Sequence, residues 1–457
     1  MSFRVRGRLP GLDRTDLGPL LDREPMADEG VAESVASIIA EVRARGDDAL
    51  KEMGRRFDGV RLESVEVPRG AWDEALASLD SDLRHGLERA ADNIRRFHEA
   101  QLPEDVVLEV EPGVRVTRTW APLERVGVYA PGGTAAYPSS VLMGVVPARA
   151  TGVDTVVVCS PPSPSGRPPP EVLAACAIGG ADRLFAVGGA GAVAALTHGT
   201  ATVPEVDAIV GPGNRWVTEA KRQVAGNLLI DSPAGPSEVL VLADETADPT
   251  LVAHELLAQA EHDPDASCVL VSTSEALAAA AESALADLLE RAPRAEIART
   301  ALAAEGGLIV ADTMDSALDL TDRYAPEHLS IMTTDAVSHA RRLRNSGTTF
   351  VGPWASVAFG DYMTGANHVL PTAGRARSFS GLSTHHFIRF FTIQEITREG
   401  ARALAEDVAR LADAEGLPAH AGAARARSEA RGDGPGDRRA ESEEGNEGSR
   451  RREEQSP

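Results

Sequence analysis

The sequence predicts an α/β protein built on two parallel-sheet layers. Two observations carry that expectation. From Arg125 onward, short apolar runs alternate with helical segments, and between Arg125 and Asp231 most of these runs end in a glycine-rich turn. Across its 457 residues the chain is 43% hydrophobic but only 4% aromatic, with 42 glycines, a composition suited to layers packed through small aliphatic side chains.

In chain order, Val31, Val35, Ile38, Ile39 and Val42 recur at helical spacing within residues 28–46, where a glycine ends the run, so an amphipathic helix is expected. A second helix is expected over 80–99. Residues 106–120 alternate as strands do, and the region before Pro122 reads as helices capped by a hairpin. Between residues 125 and 231 the runs RVGVYAPGG, DTVVVCS, RLFAVGGAGAVAAL and DAIVGPGN predict βαβ units. EVLVLAD, ASCVLVST, GGLIVAD and HLSIMTT predict a further set. The expected organisation is an N-terminal extension over 1–27, a discontinuous α/β domain over 28–120 and 237–378, a second α/β domain over 121–236, a small helical segment over 379–420, and a tail over 421–457. After Ala421 the chain has no Leu, Ile, Val, Met or aromatic residue, so the tail is expected to be disordered.

Charge narrows the function classes. Acidic residues outnumber basic ones, 69 to 46, for a formal net charge of -23, which speaks against nucleic acid as a partner. The only lysines are Lys51 and Lys221, a bias that fits either a high-salt cytoplasm or genomic base composition. Cys159, Cys176 and Cys268 lie in apolar surroundings without C-x-x-C spacing and read as small buried hydrophobes. No signal-peptide pattern follows Met1, and no apolar stretch approaches the roughly 18 residues of a membrane span. A cytoplasmic protein with no membrane partner is expected.

Four segments carry candidate chemistry. In AHELLAQAEHDPD, Gln259 and His262 are three residues apart before Pro264, a spacing that presents two ligands from one helical face. In YAPEHL, Pro326 closes a helix and leaves Glu327 and His328 side by side at the carboxyl end of a crossover, where ligands usually bind. A carboxylate next to an imidazole can divide base and acid duties near neutral pH; the alternative is an exposed strand cap. GPWASVAFGDYMTGANHVLPT reads as a binding loop offering Asp361, a hard oxygen ligand, and His368. His385 and His386 fit a solvated turn equally well. LADAEGLPAHA places Glu415 and His420 just before the tail.

Together with VGVYAPGG, AAYPSSVLM, VGGAGAVAAL, VGPGNRWVTEAK and GPSEVLVLAD, the segments LLAQAEHDPD, YAPEHL, GDYMTGANHVLPT and AEGLPAH occur in the order seen in histidinol dehydrogenases. The chain resembles that family over about residues 29–420. The resemblance implies two Rossmann-like parallel-sheet domains with small helical extensions at both ends. It implies one zinc per subunit, bound by Gln259, His262, Asp361 and His420, the last reaching across an intertwined homodimer with shared active sites. It implies four-electron oxidation of L-histidinol to L-histidine through bound L-histidinaldehyde, with NAD as acceptor. His328 is then the base that takes the alcohol proton, and Glu327 activates the attacking water. Ser237, His368 and Glu415 join Gln259, His262, His328, Asp361 and His420 as substrate contacts, with Glu415 suited to the ammonium group. Tyr129 and Asn214 match family positions that touch NAD, and Gly191 stands where the family carries a cofactor-binding glutamine. That replacement creates Gly189-x-Gly191-x-x-Ala194, an imitation of a dinucleotide fingerprint. Trp216 and Ser232 also depart from the commonest residues. Two other readings remain open: a paralogous NAD-dependent dehydrogenase acting on another alcohol, and a zinc hydrolase using Glu327 as base, which would have no use for Tyr129 and Asn214.

Overall fold

The computed structural model describes residues 2–23, 29–132, 136–232 and 235–430. Residues 431–457, most of the expected tail, lie outside that description. Fourteen strands, β1 to β14 in chain order, form three sheets among the described residues.

The largest sheet has six strands in the order β1 (Val5–Arg8), β11 (Gly306–Val310), β10 (Ser267–Ser272), β9 (Glu238–Ala243), β12 (His328–Met332) and β13 (Thr348–Val351), and every neighbouring pair is parallel. Helices cover both of its faces. Val239, Val241 and Ala243 pack with the helices Pro249–Ala260, Glu275–Leu289 and Ala295–Glu305. Leu240 and Leu242 point the other way, into a cluster with Leu17, Leu20 and Leu318. A strand buried on both faces must read as an unbroken apolar run, which is why EVLVLAD shows no alternation.

The second sheet is also parallel, in the order β6 (Arg183–Ala186), β5 (Thr155–Ser160), β4 (Arg125–Tyr129), β7 (Ala208–Val210) and β8 (Leu229–Ile230). The expectation of two parallel-sheet layers is met. All three cysteines are free and buried, as their apolar contexts imply. No described helix is long and apolar enough to cross a membrane.

The division of the chain differs from the expected one. The helices Glu29–Arg45, Asp47–Phe57, Arg69–Ser78 and Ser81–Glu99 do not join the six-stranded sheet as the 28–120 plus 237–378 assignment had it. Val35, Leu50, Trp72 and Ile94 share a core with Val126, Val156 and Ile209 of the five-stranded sheet. Residues 1–27 are not a mere extension, because β1 supplies an edge strand paired with β11. The expected hairpin forms, β2 (Val106–Glu111) antiparallel to β3 (Val114–Pro122), and β14 (Ile388–Ile396) adds a third strand. Among the described residues, 103–121 and 389–430 make up a separate compact unit. Within it the helix Pro418–Glu429 runs past the point where the tail was expected to begin; alanine-rich residues favour helix even without large apolar side chains.

Close packing on the five-stranded sheet depends on Gly144, in the helix Pro138–Ala150 that follows β4: a Cβ there would lie 2.4 Å from Val128 Cγ1. Gly144→Ala is expected to destabilise the protein by about 1–3 kcal/mol in urea unfolding. The control Gly86→Ala, in open space on the helix Ser81–Glu99, should be neutral or stabilise by up to about 1 kcal/mol.

Candidate active site

In the five-stranded sheet the chain leaves β4 for β5 and β6, then returns to the other side of β4 for β7 and β8. That reversal opens a crevice at the carboxyl ends of β4 and β7, the place where α/β sheets bind ligands. Tyr129 ends β4 and Asn214 lies just beyond β7. The Tyr129 hydroxyl accepts the Gly189 N–H at 3.1 Å, and burial pushes its phenol up to about 12, so it keeps a proton to donate. Asn214 caps the helix Arg215–Val224, its Oδ1 accepting the N–H groups of Trp216 and Val217 at 3.1 and 3.3 Å.

The turn between β7 and Asn214 is held from beneath. Gly211 has φ 114°, and a Cβ there would lie 2.1 Å from the Tyr129 carbonyl oxygen, so only glycine fits. Its N–H donates to Asp231 Oδ2 at 2.8 Å, and its carbonyl accepts from Lys221 Nζ at 3.0 Å. Lys221 and Asp231 are themselves ion-paired and buried. Gly191 is buried inside the helix Gly189–His198, where a Cβ would meet Met53 Sδ at 3.1 Å and Leu50 Cδ2 at 3.5 Å. Here Gly191 is a packing residue of a regular helix, not part of a phosphate-cradling turn.

The six-stranded sheet reverses in the same manner, between β9 and β12. Its candidate residues, however, lie at the opposite end from the one expected. Glu327 and His328 open β12, beside Ser237 and Glu238 at the start of β9, at the amino ends of the paired strands. They follow the carboxyl end of the crossover helix Met314–Tyr324, but that is the amino edge of the sheet. Neither is an exposed cap: Glu327 and His328 are each 5% exposed.

The backbone of one residue, Glu238, holds both. The Glu238 N–H donates to Glu327 Oε2 at 2.7 Å, and His328 Nδ1 lies 2.9 Å from the Glu238 carbonyl oxygen. A carbonyl only accepts, so Nδ1 carries the ring proton and Nε2 keeps its lone pair. Nε2 is buried without a hydrogen-bond partner and lies 3.7 Å from Asp361 Oδ1. Burial, with His368 and His262 nearby, lowers the His328 imidazole to about 4. Burial also raises the Glu327 carboxyl well above the usual range, with Glu238 and Asp361 adding like charge.

Asp361 and His368 join this pair. Residues 352–372 are not purely loop, because Val357–Tyr362 forms a short helix carrying Asp361. Its first N–H, of Val357, donates to the buried Glu255 Oε2 at 3.0 Å, so its start is capped by a side chain 102 residues away. Burial and the Glu255 charge raise Asp361 to about 7. His368 Nδ1 donates to the Asp361 carbonyl at 3.1 Å, leaving Nε2 to accept from the Ser140 hydroxyl at 3.4 Å. Ser140 belongs to the helix after β4, so His368 ties this cluster to the element flanking the crevice.

Gln259, one helical turn after Glu255, is buried with its Nε2 unpartnered. His262 does not share a helical face with it. The helix Pro249–Ala260 ends first, because Pro264 disfavours helical backbone at Asp263, and the His262 N–H closes a tighter turn onto the Gln259 carbonyl at 3.2 Å. Ser237 is half-buried, and its carbonyl accepts the Ser267 N–H at 3.0 Å. His385 and His386 form a capped turn in which His386 Nδ1 accepts the Ser383 N–H at 3.1 Å. Glu415 and His420 belong to the second compact unit and are exposed, Glu415 capping the helix Arg398–Ala414 and His420 on the helix Pro418–Glu429. The supporting residues Glu238, Glu255, Lys221 and Asp231 escape sequence reasoning. Two signals were there: a charge heading an apolar strand run, and one of just two lysines in the chain.

A parallel sheet open at its switch point, beside a buried carboxylate–imidazole pair, defines an α/β enzyme equipped for proton-coupled chemistry on a small molecule. The model of the histidinol dehydrogenase family matches residues 21–428. Histidinol dehydrogenase of Methanosarcina mazei is 46% identical over 429 residues, 93% of this chain and 98% of that protein. The Halobacterium salinarum enzyme is 48% identical over 420 residues, 91% of this chain and 98% of its own. The crystal structure of histidinol dehydrogenase from Elizabethkingia anophelis superposes with a TM-score of 0.89 at 33% identity, covering 93% of this chain and 98% of that one. The chain belongs to the histidinol dehydrogenase family and is an oxidoreductase.

Lys221→Met leaves Asp231 buried without its cation and the Gly211 turn without its anchor. Thermal and denaturant unfolding should show a loss of about 3–5 kcal/mol, the usual cost of breaking a buried ion pair from one side.

Proposed function

We propose that this chain oxidises L-histidinol to L-histidine through bound L-histidinaldehyde, the last steps of histidine biosynthesis, as a zinc- and NAD-dependent cytoplasmic homodimer. The observation that carries the reading is the backbone of Glu238, whose N–H and carbonyl hold a carboxyl and a neutral imidazole side by side in a buried, family-matched position.

His328 presents an unprotonated Nε2 and takes the alcohol proton in the first oxidation. The aldehyde stays bound, and Glu327 takes a proton from water as it adds to the carbonyl. The raised proton affinity of Glu327 moves it toward neutral pH, where a general base works best. His368, fixed through Asp361 and Ser140, contacts the substrate, as do Ser237 and Glu415, the last suited to the ammonium group.

Gln259, His262, Asp361 and the partner subunit's His420 are the metal ligands in this reading, and all four also contact the substrate. The donors fit a borderline dication: one buried amide has an unpartnered nitrogen, one imidazole is open to solvent, and one carboxyl is held near 7 by its surroundings. No group of three or more His, Cys, Asp or Glu gathers around one point among the described residues, as befits a set completed by an amide and by a second subunit. When bound, the zinc orients the substrate's imidazole and amino nitrogens. The dimer is further supported by the edge strand β2, where Val106, Val107, Leu108 and Val110 are all more than half exposed in the unit that carries Glu415 and His420.

Tyr129 and Asn214 flank the switch-point crevice and are the NAD contacts in this reading. NAD supplies the hydride acceptor for both steps. Gly191 stands where the family carries a cofactor-binding glutamine. Gly191→Gln is expected to lower KM for NAD at unchanged kcat, because the tight contact is with the flexible end of Met53 and helix propensity improves; an unchanged or raised KM counts against a cofactor role for this position.

The test of the whole reading is turnover of L-histidinol with NAD and zinc by the purified protein. Two NADH per histidine are expected, and chelation should abolish turnover until zinc is restored. One NADH with released aldehyde, or no turnover of L-histidinol at all, would favour a paralogous alcohol dehydrogenase.

A further inference from the structure

The function above uses the backbone N–H and carbonyl of Glu238 and leaves its side chain unexplained. That carboxylate is 4% exposed and heads a strand that is otherwise wholly apolar. It is ion-paired with Arg23 at 2.9 Å, and the Arg23 side chain is itself buried. A buried ion pair is a poor way to stabilise a core, since apolar side chains of the same volume would serve as well or better. Its contacts give it another role.

The Ala373 N–H donates to Glu238 Oε1 at 2.8 Å, and the Glu327 N–H reaches Oε2 at 3.4 Å. Glu327 and Glu238 thus grip each other twice, each carboxylate facing the other's amide. The Arg23 guanidinium lies over the Tyr324 ring, 3.4 Å from its centroid, and donates to the Tyr324 carbonyl. The Tyr324 hydroxyl is pinned in turn by Ser267 Oγ at 2.8 Å. Arg23 and Glu238 together therefore hold the chain on both sides of the turn that delivers Glu327 and His328.

Backbone strain falls at the same place. Ala325 and Ala373, with φ 51° and 54°, are the only non-glycine residues at positive φ among those described. Ala325 lies between Tyr324 and Pro326, and Ala373 is the donor to Glu238. Strained alanines persist only where their surroundings over-determine them, and here the Arg23–Glu238 pair touches both segments.

We infer that Glu238, with Arg23 as its counter-ion, is a positioning residue for the Glu327–His328 pair: it fixes the turn and the strand start so that both side chains keep their aim. This rests on the proton-transfer roles proposed above for that pair. It also makes the N-terminal segment, through Arg23, a part of the active-site framework.

The test compares kcat, KM for L-histidinol and for NAD, bound zinc and melting temperature in Glu238→Gln, Arg23→Met, Arg23→Lys and the Arg23→Met/Glu238→Gln double variant of the zinc-loaded enzyme. Glu238→Gln and Arg23→Met should lose about 10- to 100-fold in kcat, as other outer-layer partners of active-site groups do, with both KM values within about twofold. Arg23→Lys should recover part of the loss, and the double variant should be no worse than Glu238→Gln alone, because the two residues act as one unit. Should Glu238→Gln fail to fold, the Arg23→Met and Arg23→Lys pair decides. A folded Glu238→Gln with wild-type kcat overturns the inference, as does a loss that tracks zinc content and KM. Glu327→Gln and His328→Gln, assayed alongside, separate the two levels: if they retain turnover, the proposed chemistry of the pair fails and takes this inference with it, whereas if they are inactive and Glu238→Gln is not, this inference alone fails.

Discussion

The parallel pairing of β9 with β12 is the contact on which the candidate site depends. His328 stands opposite Val239 in that register, so the backbone of Glu238 meets both residues that open β12. Its N–H and carbonyl are used on side chains, those of Glu327 and His328. A shift of one residue in this register would turn His328 to the other face and separate it from its carbonyl partner. The helices on both faces of the sheet, which bury β9 completely, leave no such freedom.

Around this contact the site is dominated by desolvation. His328 and His368 are pushed to about 4 and Asp361 to about 7, in each case chiefly by burial. The effect is to keep imidazoles neutral, with one bare nitrogen each, and to keep carboxyls reluctant to ionise. Neutral imidazoles are what both a general base and a metal ligand require. The backbone carbonyls of Glu238 and Asp361 then choose which nitrogen is bare. Tautomer control of this kind costs no charge and survives changes of ionic strength that would weaken an ion pair.

The two sheets use their ends differently. The five-stranded sheet offers the carboxyl ends of β4 and β7, in keeping with the general behaviour of open α/β sheets, whereas the six-stranded sheet offers the amino ends of β9 and β12. His368 connects the two, reaching from the Asp361 segment to Ser140 on the helix after β4. An arrangement with a switch-point crevice on one sheet and a buried carboxylate–imidazole pair on the other fits the oxidoreductase function proposed above, in which the hydride acceptor and the base approach one substrate carbon and its oxygen from different sides.

Much of this was determined by sequence alone. Apolar runs place eight of the eleven described strands of the two parallel sheets, all but β1, β8 and β13, because a strand buried on both faces has no other way to read. The family motifs bring Glu327, His328, Asp361 and His368 to notice before any coordinates, since the residue types that can exchange protons near neutral pH are few. Only the tertiary structure decided the rest. It joined the helices of residues 29–99 to the five-stranded sheet instead of the six-stranded one, capped the helix carrying Asp361 with Glu255, and brought Arg23 against Glu238 across more than 200 residues of chain. It also moved His262 off the helix of Gln259 and set the Glu327–His328 pair at the amino edge of its sheet. In each case the deciding partner is remote in sequence or is a backbone group, and neither leaves a mark in local periodicity: spacing reports which face a residue takes, not what that face meets.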